Sequence, residues 1–465
     1  MKPWHWRSLP LAERTGAEVF AALGHDLPVA LLLESPPPWG SPLGRFSLCG
    51  GPPRPGRLWR PAGDQVLPFL GQFPQNSKSS APDHLPFTGG WLGWLAYEVA
   101  HAIEVLPTAK ADPLGLPVAL WYEPDWFAVL DHQDQTLWLA VTNPQDFERL
   151  SRRLETPSVP QSPTAEYGRP AALQLDSSPT EYVAAVRRAL AHIRAGDVFQ
   201  ANLSVRYSVE TAASPWQLYQ RLTRLNPSPF ACYGQTPWGS LVSCSPERLV
   251  QVAHGQVQTR PIAGTAARGA TPAQDAAQWA SLQASAKDRA EHIMLVDLAR
   301  NDLGRVCEWG SVHVDELLVT ETYSHVFHLV SNVRGTLRSK GSLAEVIRAV
   351  FPGGTITGCP KVRCMEIIHA LEPTPRSLFY GSCGYLDQRG HLDLNLLIRT
   401  LVVSPHWPGR VWGQVGAGIV ADSDPQREWQ ECLAKAQAQL LALGVDPQGD
   451  TVGDALRSHT LTLCS

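Results

Sequence analysis

The chain has 465 residues, room for two or three average domains or one large one, and enough to bury a sizeable core. A formal net charge of −4 gives no general attraction to nucleic acid or to an anionic membrane. With 18% charged residues and 16 tryptophans, the composition excludes a disordered chain and fits a compact soluble one.

Residues 1–10, MKPWHWRSLP, lack the apolar stretch of a signal peptide, and no apolar run reaches the length of a membrane span. Nine cysteines without a CxxC suggest a reducing, cytoplasmic location. Cys359, Cys364 and Cys383 sit among apolar or small residues and read as packing thiols. Residues 1–155 read as strand-rich, with VALLLES, GRFSLCG, WFAVLD and TLWLAVT as short apolar runs bounded by Gly, Pro and Asp. The stretches 51–63 and 72–88 read as surface loops, and 156–175 reads as a linker. Residues 176–445 then form the main region. A helix opens near Ser178-Pro179 and ends at Gly196, VFQANLSVRYSV is a strand, and SLVSCSPERLVQVAHGQVQTRPIAGTAARG gives strands turning at His254-Gly255. A long acidic helix is predicted from Thr271-Pro272, followed by the helix SLAEVIRAVF, the loop PGGTITGCPK and the helix VRCMEIIHALE. The strands SCGYLD, LNLLIRTLVV and VWGQVGAGIVAD precede a closing helix that starts at Asp424-Pro425 and stops at Gly444. Residues 446–465 read as a loose tail. Hairpin-rich sheets with long helices predict an α+β fold.

Two acidic pairs are the main chemical signal. Asp288 with Glu291, and Glu428 with Glu431, are each spaced i, i+3, so each pair shares one helix face. Four carboxylates converging from two helices repel unless a cation lies between them, and all-oxygen ligation suits a hard ion such as Mg2+. Taken alone, each pair reads equally as a solvated helix face. The loop 352–358 either offers backbone N–H groups to an anion or is a plain loop. Gly416 and Gly418 either admit a ligand close to the backbone or mark a bulge. Arg399, in an apolar run, needs a carboxylate ligand or a salt-bridge partner. His328 is either an acid–base group or a core histidine, with His325 three residues earlier.

Together these segments resemble the chorismate-utilising enzymes. The resemblance is carried by GDVFQANLSVR, SPERLV, TRPIAGT, AEHIMLVDLARNDLG, YSHVFHLVSNVRGTL, FPGGTITGCPKVRCMEIIHALEP, GSCGYLD, LIRTLVV and GAGIVADSDPQREWQE, in the family's order over roughly residues 178–440. It implies a large fold of mostly antiparallel sheets with flanking helices and an active site in a cleft between them. It also implies that Glu291 and Glu431 hold Mg2+ directly and that Asp288 and Glu428 do so through water. Asp288 stands where the family usually has Glu. His328 would assist loss of the 4-hydroxyl of chorismate, with Thr355 and Glu247 nearby. Tyr385 and Arg399 would grip the enolpyruvyl carboxylate, helped by Gly416 and Gly418. Lys435 would neutralise a carboxylate, and Ala263, Gly264 and Thr265 would line the substrate site. Gln200 stands where water-adding relatives carry a lysine base, which implies ammonia as the nucleophile, supplied by a glutamine amidotransferase subunit.

Asn202 and Arg248 match the aminodeoxychorismate synthases (component I), which lead to 4-aminobenzoate and folate. Ala263, where the well-known members of that branch carry a nucleophilic lysine, matches the anthranilate synthases, as does LLES, which implies a tryptophan pocket at Ser35. The expectation is the aminodeoxychorismate branch, with anthranilate synthase as the alternative. A non-catalytic tryptophan-binding or scaffold protein is a third reading, opposed by the four retained acidic positions.

Overall fold

Short apolar runs assemble two antiparallel sheets in the computed structural model, which describes residues 3–37, 42–73, 81–155, 173–322, 326–339 and 341–445. The segment 156–172, His325 and the tail 446–465 lie outside the described residues.

Among the described residues, the larger sheet has 12 strands. Its centre runs Ala30–Glu34, Phe230–Thr236, Gly239–Ser245, Thr400–Val403, Arg410–Ile419 and Gln200–Glu210. Gln174 and Leu175, the end of the stretch read as a linker, pair with Ser208 and Tyr207. The second sheet has 10 strands, with Ile262–Ala267, Val326–Thr336, Gln256–Thr259, Arg248–Ala253, Leu392–Asn395, Ser382–Asp387 and Gly90–Leu95 in succession.

Side-chain alternation explains how one strand serves two cores. In Ala30–Glu34, Leu31 packs into the core shared with the second sheet, whereas Ala30 and Leu32 join the core beneath the helices. A run apolar on both faces is therefore what this strand requires. Each fully buried leucine contributes about 1.5–3 kcal/mol. Helices Pro179–Arg194, Pro215–Leu225 and Pro425–Ala442 cover the outer face of the larger sheet. Among the described residues, no helix is long and apolar enough to cross a membrane.

Three sequence expectations change. The long acidic helix is two, Pro272–Ala284 and Ala286–Gly304, because Ser285 takes an extended conformation and its side chain accepts from the Asp288 N–H, capping the second helix afresh. Residues 53–59, read as loop, form an edge strand, a position that tolerates Pro53 and Pro55 because one side needs no ladder donors. LNLLIRTLVV is not one strand. Leu392–Asn395 belongs to the second sheet and Thr400–Val403 to the larger one, with 396–399 crossing between them. Arg399 sits at that crossing with φ 51°, a backbone region that a bulky residue rarely occupies.

Candidate active site

Helix Ala286–Gly304 and the closing helix Pro425–Ala442 flank one cleft of about 810 Å³. Asp288, Glu291, Glu428 and Glu431 all line it, each i, i+3 pair from one face of its own helix. Gln200, Asn202, Ala263, Gly264, Thr265, Thr355, Arg399, Gly418 and Lys435 complete the relevant wall.

Two of these carboxylates, Glu291 and Glu428, are held under electrostatic stress. Burial, and after it the neighbouring charge of Glu431, raises the Glu291 carboxyl above its ordinary value, although Gln200 Nε2 donates to Glu291 Oε1 at 2.6 Å. Burial and Glu431 raise Glu428 likewise. Glu428 is only 4% exposed, and no protein donor reaches its Oε2. Lys435 Nζ lies 2.7 Å from Glu431 Oε1 and donates to the Gly416 carbonyl at 3.2 Å. An orphaned buried carboxylate oxygen in an all-oxygen donor set fits a hard cation.

Among the described residues, the group of three or more acidic, histidine or cysteine side chains whose ligand atoms all lie within 4.8 Å of one another is His84, Asp131 and Asp134, and Arg45 already neutralises it at 2.7 Å from Asp131 and 3.0 Å from Asp134. The four cleft carboxylates are spread more widely, an arrangement suited to an ion that keeps part of its water shell.

Gly418 is needed for this wall. A Cβ there would fall 2.3 Å from Gln200 Nε2 and 3.1 Å from Glu291 Oε1. At Gly416 a Cβ would lie 2.8 Å from Tyr380 Oη and 2.9 Å from Asn202 Oδ1, so Gly416 backs the cleft with its carbonyl engaged by Lys435.

Two titratable groups expected to serve in acid–base chemistry, His328 and Glu247, are pushed apart by their surroundings. Thr265 Oγ1 lies 2.8 Å from His328 Nδ1. Burial, with the charges of Arg399 and Lys435 adding to it, pushes His328 down to about 3, so the ring is neutral at physiological pH. Burial pushes Glu247 up to about 8 even though the Thr355 hydroxyl bonds its Oε1 at 2.9 Å. Glu247 therefore carries a proton at neutral pH, next to a residue that lines the cleft.

Tyr385 is not with Arg399. It lines a second cavity of about 360 Å³ together with Ser35, Arg248 and Asn395. The alternation of strand Ser382–Asp387 directs its ring to that side, where it meets Phe87 edge-on at 5.5 Å. Arg399 does line the cleft, with Nη1 3.4 Å from Asn226 Oδ1. Arg248 forms a two-pronged pair with Asp393 at 2.9 Å on the second cavity, away from the carboxylates. Burial raises the thiols of Cys364 and Cys383, which leaves both as packing groups.

Two supporting residues escaped sequence reasoning. His292, fully buried, bonds the Ala263 carbonyl through Nδ1 at 3.1 Å and Ser331 Oγ through Nε2 at 2.7 Å. The carbonyl can only accept, so Nδ1 carries the hydrogen and Nε2 accepts from serine. Arg376 ties three cleft segments together. It donates to the Ile356 and Asn202 carbonyls at 2.7 Å each, grips Glu372, and lies 4.7 Å from the centre of the Tyr380 ring. Arg376→Met is expected to cost about 3–5 kcal/mol in denaturant unfolding, because Glu372 would remain buried without its partner. An unchanged unfolding midpoint would refute the anchoring role. The i, i+4 spacing of Glu372 and Arg376 was the available signal, but it could not reveal their burial.

The family model described as "chorismate binding enzyme" matches residues 59–441. The chain is 54% identical over 458 residues to an "Anthranilate synthase component I-like protein" of Synechocystis sp., covering 95% of this chain and 92% of the relative. It is 41% identical over 394 residues to "Aminodeoxychorismate synthase component 1" of Bacillus subtilis, covering 82% of each. The crystal structure of anthranilate synthase component I from Streptococcus pneumoniae superposes with a TM-score of 0.73 at 31% identity, covering 87% of this chain and 94% of that one.

Proposed function

The chain belongs to the chorismate-binding enzyme family, and on that premise we propose that it aminates chorismate to 4-amino-4-deoxychorismate, as aminodeoxychorismate synthase component I does. The observation that carries this reading is Asn202. It lines the cleft, bonds the Thr355 carbonyl at 3.3 Å, and is the residue type typical of that branch at this position.

In this reading Glu291 and Glu431, backed by Asp288 and Glu428, would hold Mg2+, which would supply charge neutralisation at the ring carboxylate of chorismate. Arg399 and Lys435 take the dianion's remaining charge, Gly418 lets it approach the backbone, and Gly416, expected to do the same, instead holds Lys435 through its carbonyl. Glu247 holds the proton that the departing 4-hydroxyl needs, and Thr355 stands between them. His328, neutral, fixes the Thr265 hydroxyl against the cleft. Ammonia replaces the hydroxyl, which leaves as water. A glutamine amidotransferase subunit supplies the ammonia. The second cavity, with Ser35 on its wall, is a tryptophan pocket.

A second reading, anthranilate synthase component I, is favoured by Ala263. Its methyl group lines the cleft where a nucleophilic lysine would otherwise add to the ring.

A product assay decides between them. Purified protein with chorismate, Mg2+ and an ammonium salt is expected to give a product that becomes 4-aminobenzoate only after a lyase is added. Anthranilate formed without the lyase would overturn the first reading in favour of the second.

A further inference from the structure

We infer that His292 is a positioning residue that holds two walls of the cleft in register: the helix carrying Asp288 and Glu291, and the strand segment Ala263–Thr265. The part that concerns the cation rests on the reading that Glu291 holds Mg2+.

The strands behind the cleft are irregular. Ile262 pairs with Val330 and Thr265 with His328, so strand Ile262–Ala267 carries one extra residue against Val326–Thr336, and Ala263 and Gly264 form the bulge. On the other edge of Val326–Thr336, Glu316 pairs with Asn332 and Val319 with Val330, which puts a second bulge at Leu317 and Leu318. Leu318 takes φ 53° and Gly264 φ 91°. Bulges disrupt the ladder, and here side chains take up the backbone groups it drops. The Leu318 N–H donates to Ser331 Oγ at 2.9 Å, the Ser331 hydroxyl donates to His292 Nε2 at 2.7 Å, and His292 Nδ1 donates to the Ala263 carbonyl at 3.1 Å. Every link has a fixed direction, because an N–H begins the series and a carbonyl ends it. His292 and Ser331 are both fully buried.

This series of bonds acts on the cleft from two sides. At its end, the Ala263 carbonyl fixes a bulge whose residues line the cleft, and Thr265 beside it meets His328 at 2.8 Å. At His292 it fixes the rotation of helix Ala286–Gly304. Successive helical residues point about 100° apart, so holding His292 against the sheet turns Glu291 to the cleft, with Asp288 on the same face. The two walls come close together here, since a Cβ on Gly264 would lie 3.3 Å from Asp288 Cβ. Releasing either wall displaces groups that must meet the same substrate, and a displacement of about 1 Å costs about 10²-fold in rate.

Two amide substitutions cut the series at different points. Asparagine places Nδ2 where histidine has Nδ1, so His292→Asn keeps the bond to Ala263 and loses the one to Ser331. Glutamine reaches the Nε2 position, so His292→Gln does the reverse. The full chains are compared by kcat/KM for chorismate, read as chorismate consumption with Mg2+ and ammonium chloride, and, without chorismate, by the rise of Tm with Mg2+ concentration. His292→Gln is expected to lower kcat/KM about 10–100-fold and to need about tenfold more Mg2+ for the same rise in Tm. His292→Asn is expected to stay within about threefold of the wild type in both, although each variant loses one buried bond and some thermal stability. Equal kinetic losses in the two variants, or losses that simply follow Tm, would overturn the positioning role. If His292→Gln does not fold, Ser331→Ala supplies the comparison. It spares the bond to Ala263, so Tm should fall while kcat/KM stays within about threefold, and a tenfold fall in kcat/KM would overturn the inference. A wild-type Tm that ignores Mg2+ would remove the metal reading, and the kcat/KM contrast would still decide the role of His292.

Discussion

Glu291→Gln is expected to lower kcat/KM for chorismate by about 10³-fold or more, with no loss of thermal stability. The loss follows from removing one of two groups assigned to hold the cation directly. Stability should be unharmed because burial and the charge of Glu431 already work against the ionised form of Glu291. A carboxyl raised above its ordinary value in the folded state binds more protons there than in the unfolded chain. Its contribution is therefore greatest at low pH and is lost as pH rises through the folded value. Glutamine has no charge to desolvate, so its Tm at neutral pH should equal or exceed that of the wild type. Glu428→Gln provides the graded control. Acting through water, Glu428 should matter about 10–100-fold. A magnesium titration of activity with parallel melting curves checks both. Near-normal turnover of Glu291→Gln at saturating Mg2+ would refute the metal assignment, and a lowered Tm would recast Glu291 as structural.

The parts of this site that sequence revealed share a property: they are periodic. Asp288 with Glu291, and Glu428 with Glu431, repeat at helical spacing, so each pair shares a helix face whatever the route of the intervening chain, and the fold then turns both faces to one cleft. Lys435, one turn past Glu431, follows by the same rule. Tyr385 and Arg399 were harder because their placement depends on the path between two sheets. An apolar run has the same appearance whether it continues along one strand or crosses between layers, and 396–399 does the latter. Arg399 accordingly lines the cleft, whereas Tyr385 lines the other cavity. Burial is the other quantity that local sequence conceals. SPERL places Glu247 beside an arginine. In the fold, Arg248 turns to Asp393 while Glu247 is enclosed against Thr355. His292 follows Glu291 directly, and only the packing of its helix on strand Ile262–Ala267 brings it to the Ala263 carbonyl.

That enclosure of Glu247 leads to the second large effect. With its carboxyl pushed up to about 8, Glu247 is protonated at neutral pH and ionises as pH rises through that value. If it supplies the proton lost with the 4-hydroxyl, kcat/KM for chorismate should fall on the alkaline side of about 8. The assay must hold free ammonia constant, because raising pH also converts ammonium to ammonia and would mask the decline. Glu247→Gln should lower kcat/KM by about 10²-fold or more and abolish the alkaline limb, since no titrating proton remains at that position. His328 cannot produce this limb, because a ring pushed down to about 3 has already lost its charge. The same carboxyl has a stability signature of definite sign. Its ordinary value is 4.5, so between there and about 8 the folded chain holds a proton that the unfolded chain has released. Stability should therefore decline across that window in the wild type relative to Glu247→Gln. A wild-type profile that stays flat through pH 8, with equal pH slopes of Tm for both proteins, would remove Glu247 from the proton path and leave Thr355 as a positioning residue.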